Sequence, residues 1–203
     1  LRPWLAMRVA GLDFDEIVIP LDRPGTKARI AEHGPAGRVP ILHHGALTVW
    51  ESLAICEYAA EIAPRATLWP EDAAARAVAR AVGAEMHAGF AALRQALPMN
   101  VRAERRKVMV DPPLRADIER VAQIWRDCRD RFGAGGPFLF GHFSIADAMF
   151  APVASRFGTY GVLLGPVEQA YCDAIRALPA MREWVAAAVA EPWTIEAEEV
   201  GRA

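Results

Sequence analysis

At 203 residues the chain is long enough for one large or two small domains, each with a core of its own. Apolar residues make up 53% and charged ones 24%, which excludes a disordered chain. A net charge of −2 gives no electrostatic argument for nucleic acid or an anionic membrane, and no apolar run approaches about 18 residues free of charge, so none reads as a membrane span.

Residues 1 to about 66 alternate helix and strand signals. Leu1-Arg2-Pro3-Trp4 opens a short helix, with Pro3 tolerated in its first turn, and Gly11 ends it. Phe14 to Ile19 is rich in strand-forming residues and is closed by Pro20, so it is predicted as a strand. Gly25 to Glu32 reads as a short polar helix or loop, followed by the turn His33-Gly34-Pro35-Ala36-Gly37. Val39–Leu42 and Ala46–Trp50 are predicted as an antiparallel hairpin with His43-His44-Gly45 at its tip. Ser52 to Ile62 then reads as a helix stopped by Pro64, and Leu68-Trp69-Pro70 as a linker.

From Asp72 onward the signal is wholly helical. Val78, Val82, Met86, Phe90, Leu93 and Leu97 recur at steps of three or four, which predicts one long helix. Leu114, Ile118, Val121, Trp125, Cys128 and Phe132 repeat the pattern up to the stop at Gly133–Gly136. Ile145, Met149, Val153 and Phe157 mark a third helix. Ser144-Ile145-Ala146-Asp147 before it has the form of a capping box, a structural device. Weaker helical segments lie near 168–178 and 180–190.

Cys56, Cys128 and Cys172 are an odd, widely spaced set without a C-x-x-C pair, which argues against disulfides and zinc and for a reducing, cytoplasmic setting. The five histidines show no metal spacing, so no metal is expected.

Two local features carry chemistry. Proline cannot donate to a sheet ladder, so Pro40 belongs at a strand entrance, and a Val39–Pro40 bond there is a candidate for the cis form. That geometry would free the Val39 N–H and C=O to pair with an extended peptide. Glu51-Ser52 opens a helix, where a hydroxyl and unpaired N–H groups suit a carboxylate. Singly, each is more often a turn device or a helix cap. Together they describe a site for a small zwitterionic peptide.

The strings Gly34-Pro35-Ala36-Gly37-Arg38-Val39-Pro40-Ile41-Leu42, Glu51-Ser52-Leu53-Ala54-Ile55 through Tyr58, and Phe138 to Asp147 resemble the glutathione S-transferase superfamily over essentially the whole chain. The resemblance implies a thioredoxin-like, glutathione-binding domain over 1–66 and an all-helical domain over 72–203. It implies that Ser52 meets the γ-glutamyl carboxylate, Glu51 the ammonium and Val39, beside Pro40, the cysteinyl backbone. Lys27 is preferred over Arg38 for the glycine carboxylate. The family's first strand, with its catalytic Tyr, Ser or Cys, would precede Leu1, so roughly 15 to 20 further residues and a catalytic group upstream are expected, since a sheet without its middle strand leaves interior edges unpaired. The string Glu85-Met86-His87 with Phe90, Leu93-Arg94 and Leu97–Asn100 resembles a bacterial, serine-type subgroup, with Met86, His87, Phe90 and Met99 as the wall for a small hydrophobic electrophile. Arg94 and His87 read equally well as partners between helices. The implied activity is transfer of glutathione to that electrophile by a cytoplasmic homodimer without metal. A glutathione-dependent isomerase, a thiol reductase and a non-catalytic protein-binding module are the alternatives.

Overall fold

A computed structural model describes residues 1–202. Its first part runs α1 (Arg2–Val9), α2 (Thr26–His33), β1 (Ile41–His44), β2 (Leu47–Trp50) and α3 (Ser52–Ile62), closed by a tight turn at Pro64–Ala66. The helices α4 (Ala73–Ala88), α5 (Ala91–Ala96), α6 (Pro112–Phe132), α7 (Ile145–Thr159), α8 (Pro166–Ala177) and α9 (Pro179–Ala190) follow. A small α/β part followed by a helical one is the expected order.

Helix α1 stops as expected at Gly11, whose φ of +70° lets Leu12 N–H return to the Met7 carbonyl at 3.0 Å. The hairpin pairs Ile41 with Trp50 and His44 with Leu47. Its turn is therefore Gly45-Ala46, and both histidines belong to the strand. The correction has a simple cause: a two-residue hairpin turn needs positive φ, and Gly45 supplies it at +60°.

Phe14–Ile19 does not form a strand. Ile17 and Val18 are 64% and 53% exposed, and no described residue stands beside the run to share ladder hydrogen bonds. Strand propensity describes a fit to a sheet surface, and without a neighbour it yields only coil.

The helix expected over 78–97 is broken in two. Gly89 ends α4, and Phe90 takes a left-handed backbone with φ +62° before α5 begins. The arginine at 94 makes the break tenable, because its guanidinium donates to the freed carbonyls of Met86 and His87 at the end of α4. Arg94 beyond the break and His87 before it both lie off the core stripe, while Met86 stays fully buried.

The core gathers on α7, which packs against α1, α4 and α8. Trp125 of α6 sits at its centre, with ring centroids 4.8 Å from Tyr171, 5.5 Å from Phe157 and 5.9 Å from Phe150. At the head of α7, Asp147 accepts from Ser144 N–H at 2.8 Å, Ser144 Oγ at 2.9 Å and Leu139 N–H at 3.1 Å, which completes the capping box. Leu68 and Trp69 are packed and not a free linker. The Leu68 carbonyl accepts from Ile145 N–H at 2.8 Å, and Trp69 Nε1 donates to Glu57 at 2.8 Å.

Candidate active site

Strand β2 ends at Trp50 and α3 starts at Ser52, so the chain must turn from strand to helix within one residue. That residue is Glu51, held at φ +70° and ψ 127°, a backbone state that costs a non-glycine residue about 1–3 kcal/mol. The turn sets the Glu51 carboxylate beside the first turn of α3, where N–H groups have no partner within the helix. Ser52 is only 8% exposed. On the facing side, at the end of α4, His87 brings Nε2 to 3.4 Å from Glu51 Oε2 and Nδ1 to 3.5 Å from Ser52 Oγ.

These residues form one wall of a cleft of about 670 Å³ that runs between the two parts of the chain. Arg38, Val39 and Pro40 line the same wall, with Val39 45% exposed and the Val39–Pro40 bond cis. The far wall is made by Arg2 of α1, Arg94 of α5, Met99, Pro152 and Arg156 of α7, and Trp184 of α9.

The structure thus brings Val39, Pro40, Glu51, Ser52, His87 and Met99 together. Three expected residues stand elsewhere. Lys27 is exposed on α2 away from the cleft, and the cation on the wall is Arg38. Met86 and Phe90 are buried in the helical core, 0% and 7% exposed, and do not face the cleft. Their periodicity with Val82 is a core stripe, and residues off that stripe, His87 and Arg94 among them, line the cleft.

Arg2 and Arg156 were not singled out from the sequence. A signal existed for Arg156, a lone cation among Ala151, Val153, Ala154 and Phe157 with no acidic residue three or four positions away. Burial and the neighbouring Arg94 push the Arg2 and Arg156 guanidiniums down to about 10, so both remain cationic at neutral pH. The three cysteines lie off the cleft, and burial pushes each thiol up to about 12. Among the described residues no group of three His, Cys, Asp or Glu is placed to hold a metal ion, and no helix is long and apolar enough to cross a membrane.

Residues 1–62 match the profile of the glutathione S-transferase N-terminal domain, and residues 72–187 that of the C-terminal domain. The chain is 26% identical to glutathione S-transferase L1 of Arabidopsis thaliana over 162 residues, 78% of this chain but only 62% of that protein, less than two thirds of its length. It is 24% identical to maleylacetoacetate isomerase of Rattus norvegicus over 169 residues, covering 81% of this chain and 76% of the other. Among solved structures it is similar to a glutathione transferase homologue from Burkholderia gl BGR1 with bound glutathione. The TM-score there is 0.69 at 25% identity, over 92% of this chain and 89% of that one. A maleyl pyruvate isomerase described as a bacterial Zeta-class glutathione S-transferase shares the fold with a TM-score of 0.72 at 22% identity, over 96% and 94%.

Proposed function

We propose, from the premise that this chain belongs to the glutathione S-transferase family, that its cleft binds glutathione and presents the thiol to a small electrophile. The observation that carries the reading is the pair Glu51 and Ser52, adjacent at the head of α3 and both on the cleft wall. The Burkholderia homologue's bound glutathione supports it.

In this reading the γ-glutamyl carboxylate accepts from Ser52 Oγ–H and the first N–H groups of α3, where the helix dipole favours an anion. The Glu51 carboxylate, an acceptor only, takes the ammonium. Val39 exchanges main-chain hydrogen bonds with the cysteinyl residue, as a strand added to an edge. Arg38, in place of Lys27, meets the glycine carboxylate.

The cleft carries Arg2, Arg38, Arg94 and Arg156 against one acidic residue, Glu51. Such an excess of positive charge suits a ligand that carries carboxylates. The thiol proton passes to solvent. The thiolate forms a C–S bond to the electrophilic carbon, and the leaving group departs with its bonding pair.

A second reading, glutathione-dependent isomerisation, is supported by the rat relative's name and uses the same binding residues. There the C–S bond is broken again and glutathione is released unchanged. Stoichiometry separates the two. With glutathione and a panel of electrophiles, the transferase reading expects one glutathione lost per product. Product formed with the glutathione pool intact would replace it by the isomerase reading. No turnover of any electrophile beyond the uncatalysed rate would count against both. We also propose that two copies pair, with Leu47 and Trp50 of β2, 46% and 43% exposed, among the surfaces covered.

A further inference from the structure

Arginine is the side chain whose planar fork best matches a carboxylate, and seven arginines of this chain have found one among the described residues. Arg106 pairs with Glu199 at 2.6 Å, Arg120 with Glu85 at 2.7 Å, and Arg8 with Glu183 at 2.8 Å. Arg2, Arg94 and Arg156 are different. They come from α1, α5 and α7, far apart in sequence, and all three reach the same end of the cleft. No carboxylate among the described residues lies within ion-pair distance of any of them. Glu198 attracts Arg156 only from farther away.

Each guanidinium is nevertheless fixed. Arg2 Nε donates to the Met149 carbonyl at 3.1 Å and Arg156 Nε to the Leu97 carbonyl at 2.7 Å. Arg94 donates to the carbonyls of Met86 and His87, the latter at 2.9 Å, while its Nε is buried with no partner. Main-chain carbonyls orient these cations without neutralising them, and the remaining N–H groups have no acceptor among the described residues. Like charges so close, partly removed from water, repel at a cost that an incoming anion removes.

We propose that the end of the cleft where Arg2, Arg94 and Arg156 converge binds the carboxylate of an anionic co-substrate, a small organic acid that carries the electrophilic carbon. The assignment rests on the glutathione reading above, in which both glutathione carboxylates are already met, one at Ser52 and one at Arg38. It also replaces the hydrophobic wall expected from Met86 and Phe90, which lie in the core.

The test is calorimetric titration of the whole chain with succinate, with its neutral isostere succinamide, and with glutathione. Succinate is expected to bind and succinamide not. Arg2→Gln and Arg156→Gln should each weaken succinate about tenfold or more, the loss of a charge-assisted contact, while glutathione affinity stays within about twofold. Arg156→Lys, which keeps the charge but not the fork, should retain part of the succinate affinity. Circular dichroism melts identify a variant that fails to fold, and the comparison of succinate with succinamide on the unaltered chain tests the proposal even then. Equal binding of the two probes, or no binding of either, would overturn the site. So would unchanged succinate affinity in folded Gln variants. Glutathione weakened as much as succinate would show that the arginines serve glutathione's own carboxylate, and would overturn it too. Arginine-dependent succinate binding without any glutathione binding would sustain the anion site and sink the glutathione reading instead.

Discussion

His87 Nε2 stands 3.4 Å from Glu51 Oε2, across the gap between the end of α4 and the head of α3. The same ring's Nδ1 lies 3.5 Å from Ser52 Oγ. One imidazole from the helical part therefore touches both residues assigned to the γ-glutamyl end. Both contacts are long and partly exposed, so they position side chains more than they stabilise the fold. His87→Ala is expected to weaken glutathione by about threefold to tenfold, at about 1 kcal/mol for contacts of this kind, with little change in melting temperature. Fluorescence titration beside a thermal melt checks this. A large loss of stability with affinity intact would make His87 a structural residue only.

Gly89 should tolerate no side chain. A Cβ there would lie 2.9 Å from the Glu85 carbonyl oxygen, inside contact distance with main chain that cannot rotate away. Gly89→Ala is expected to cost about 1–3 kcal/mol in denaturant unfolding, as overpacking does. It should also weaken succinate binding, because the break it strains is what places Arg94. Wild-type stability in the variant would remove the steric account of the break.

Much of the fold was legible because it depends on local patterns. The stripes of α6 and α7, the Gly11 stop and the capping box at Ser144 and Asp147 each follow from residues within a few positions of one another. The failures share a different cause. Phe14–Ile19 has strand composition, but a strand exists only beside a partner, and composition cannot supply one. Met86 and Phe90 share a stripe with Val82, yet whether a stripe faces a core or a cleft is decided by the bend at Gly89 and by Arg94, five positions beyond it. Glu51, Ser52, Val39 and Pro40 were legible because a sharp turn and a helix start leave sequence marks. Arg2 and Arg156 were not, since their meaning is a meeting of α1 with α7 that no local pattern records.

Asp147 couples stability to pH with a defined sign. Burial pushes its carboxyl from 3.8 up to about 6, although hydrogen bonds from Leu139 and Ser144 pull the other way. An acid whose pKa is raised on folding binds its proton more tightly in the folded state, so its contribution to stability falls as pH rises through the window from about 4 to about 6. Asp147→Asn removes that titration. The stability advantage of the wild type over the variant should therefore shrink across this window by up to about 3 kcal/mol, read from urea unfolding at each pH. An advantage that grows as pH rises would mean that the hydrogen bonds outweigh burial. Asp147→Ala, which leaves the buried Leu139 and Ser144 N–H groups unpaired, should cost about 3 kcal/mol or more at any pH.

Pairing of two copies is expected to give a scattering mass near twice the 22.2 kDa of one chain at micromolar concentration. A stable two-fold interface should bury more than about 1,000 Å². Trp50→Glu places a charge on the proposed contact, and a mass that stays doubled in that variant would exclude β2 from it.

The central claim is that Glu51 and Ser52 hold the γ-glutamyl end of glutathione, and calorimetric titration of glutathione against Ser52→Ala and Glu51→Gln tests it most directly. Ser52→Ala should weaken binding by about 1–3 kcal/mol, the loss of a charge-assisted bond in a partly dry site. Glu51→Gln should weaken it similarly and abolish the preference for glutathione over its deaminated analogue. Unchanged affinity in both variants, each folded, would contradict the account.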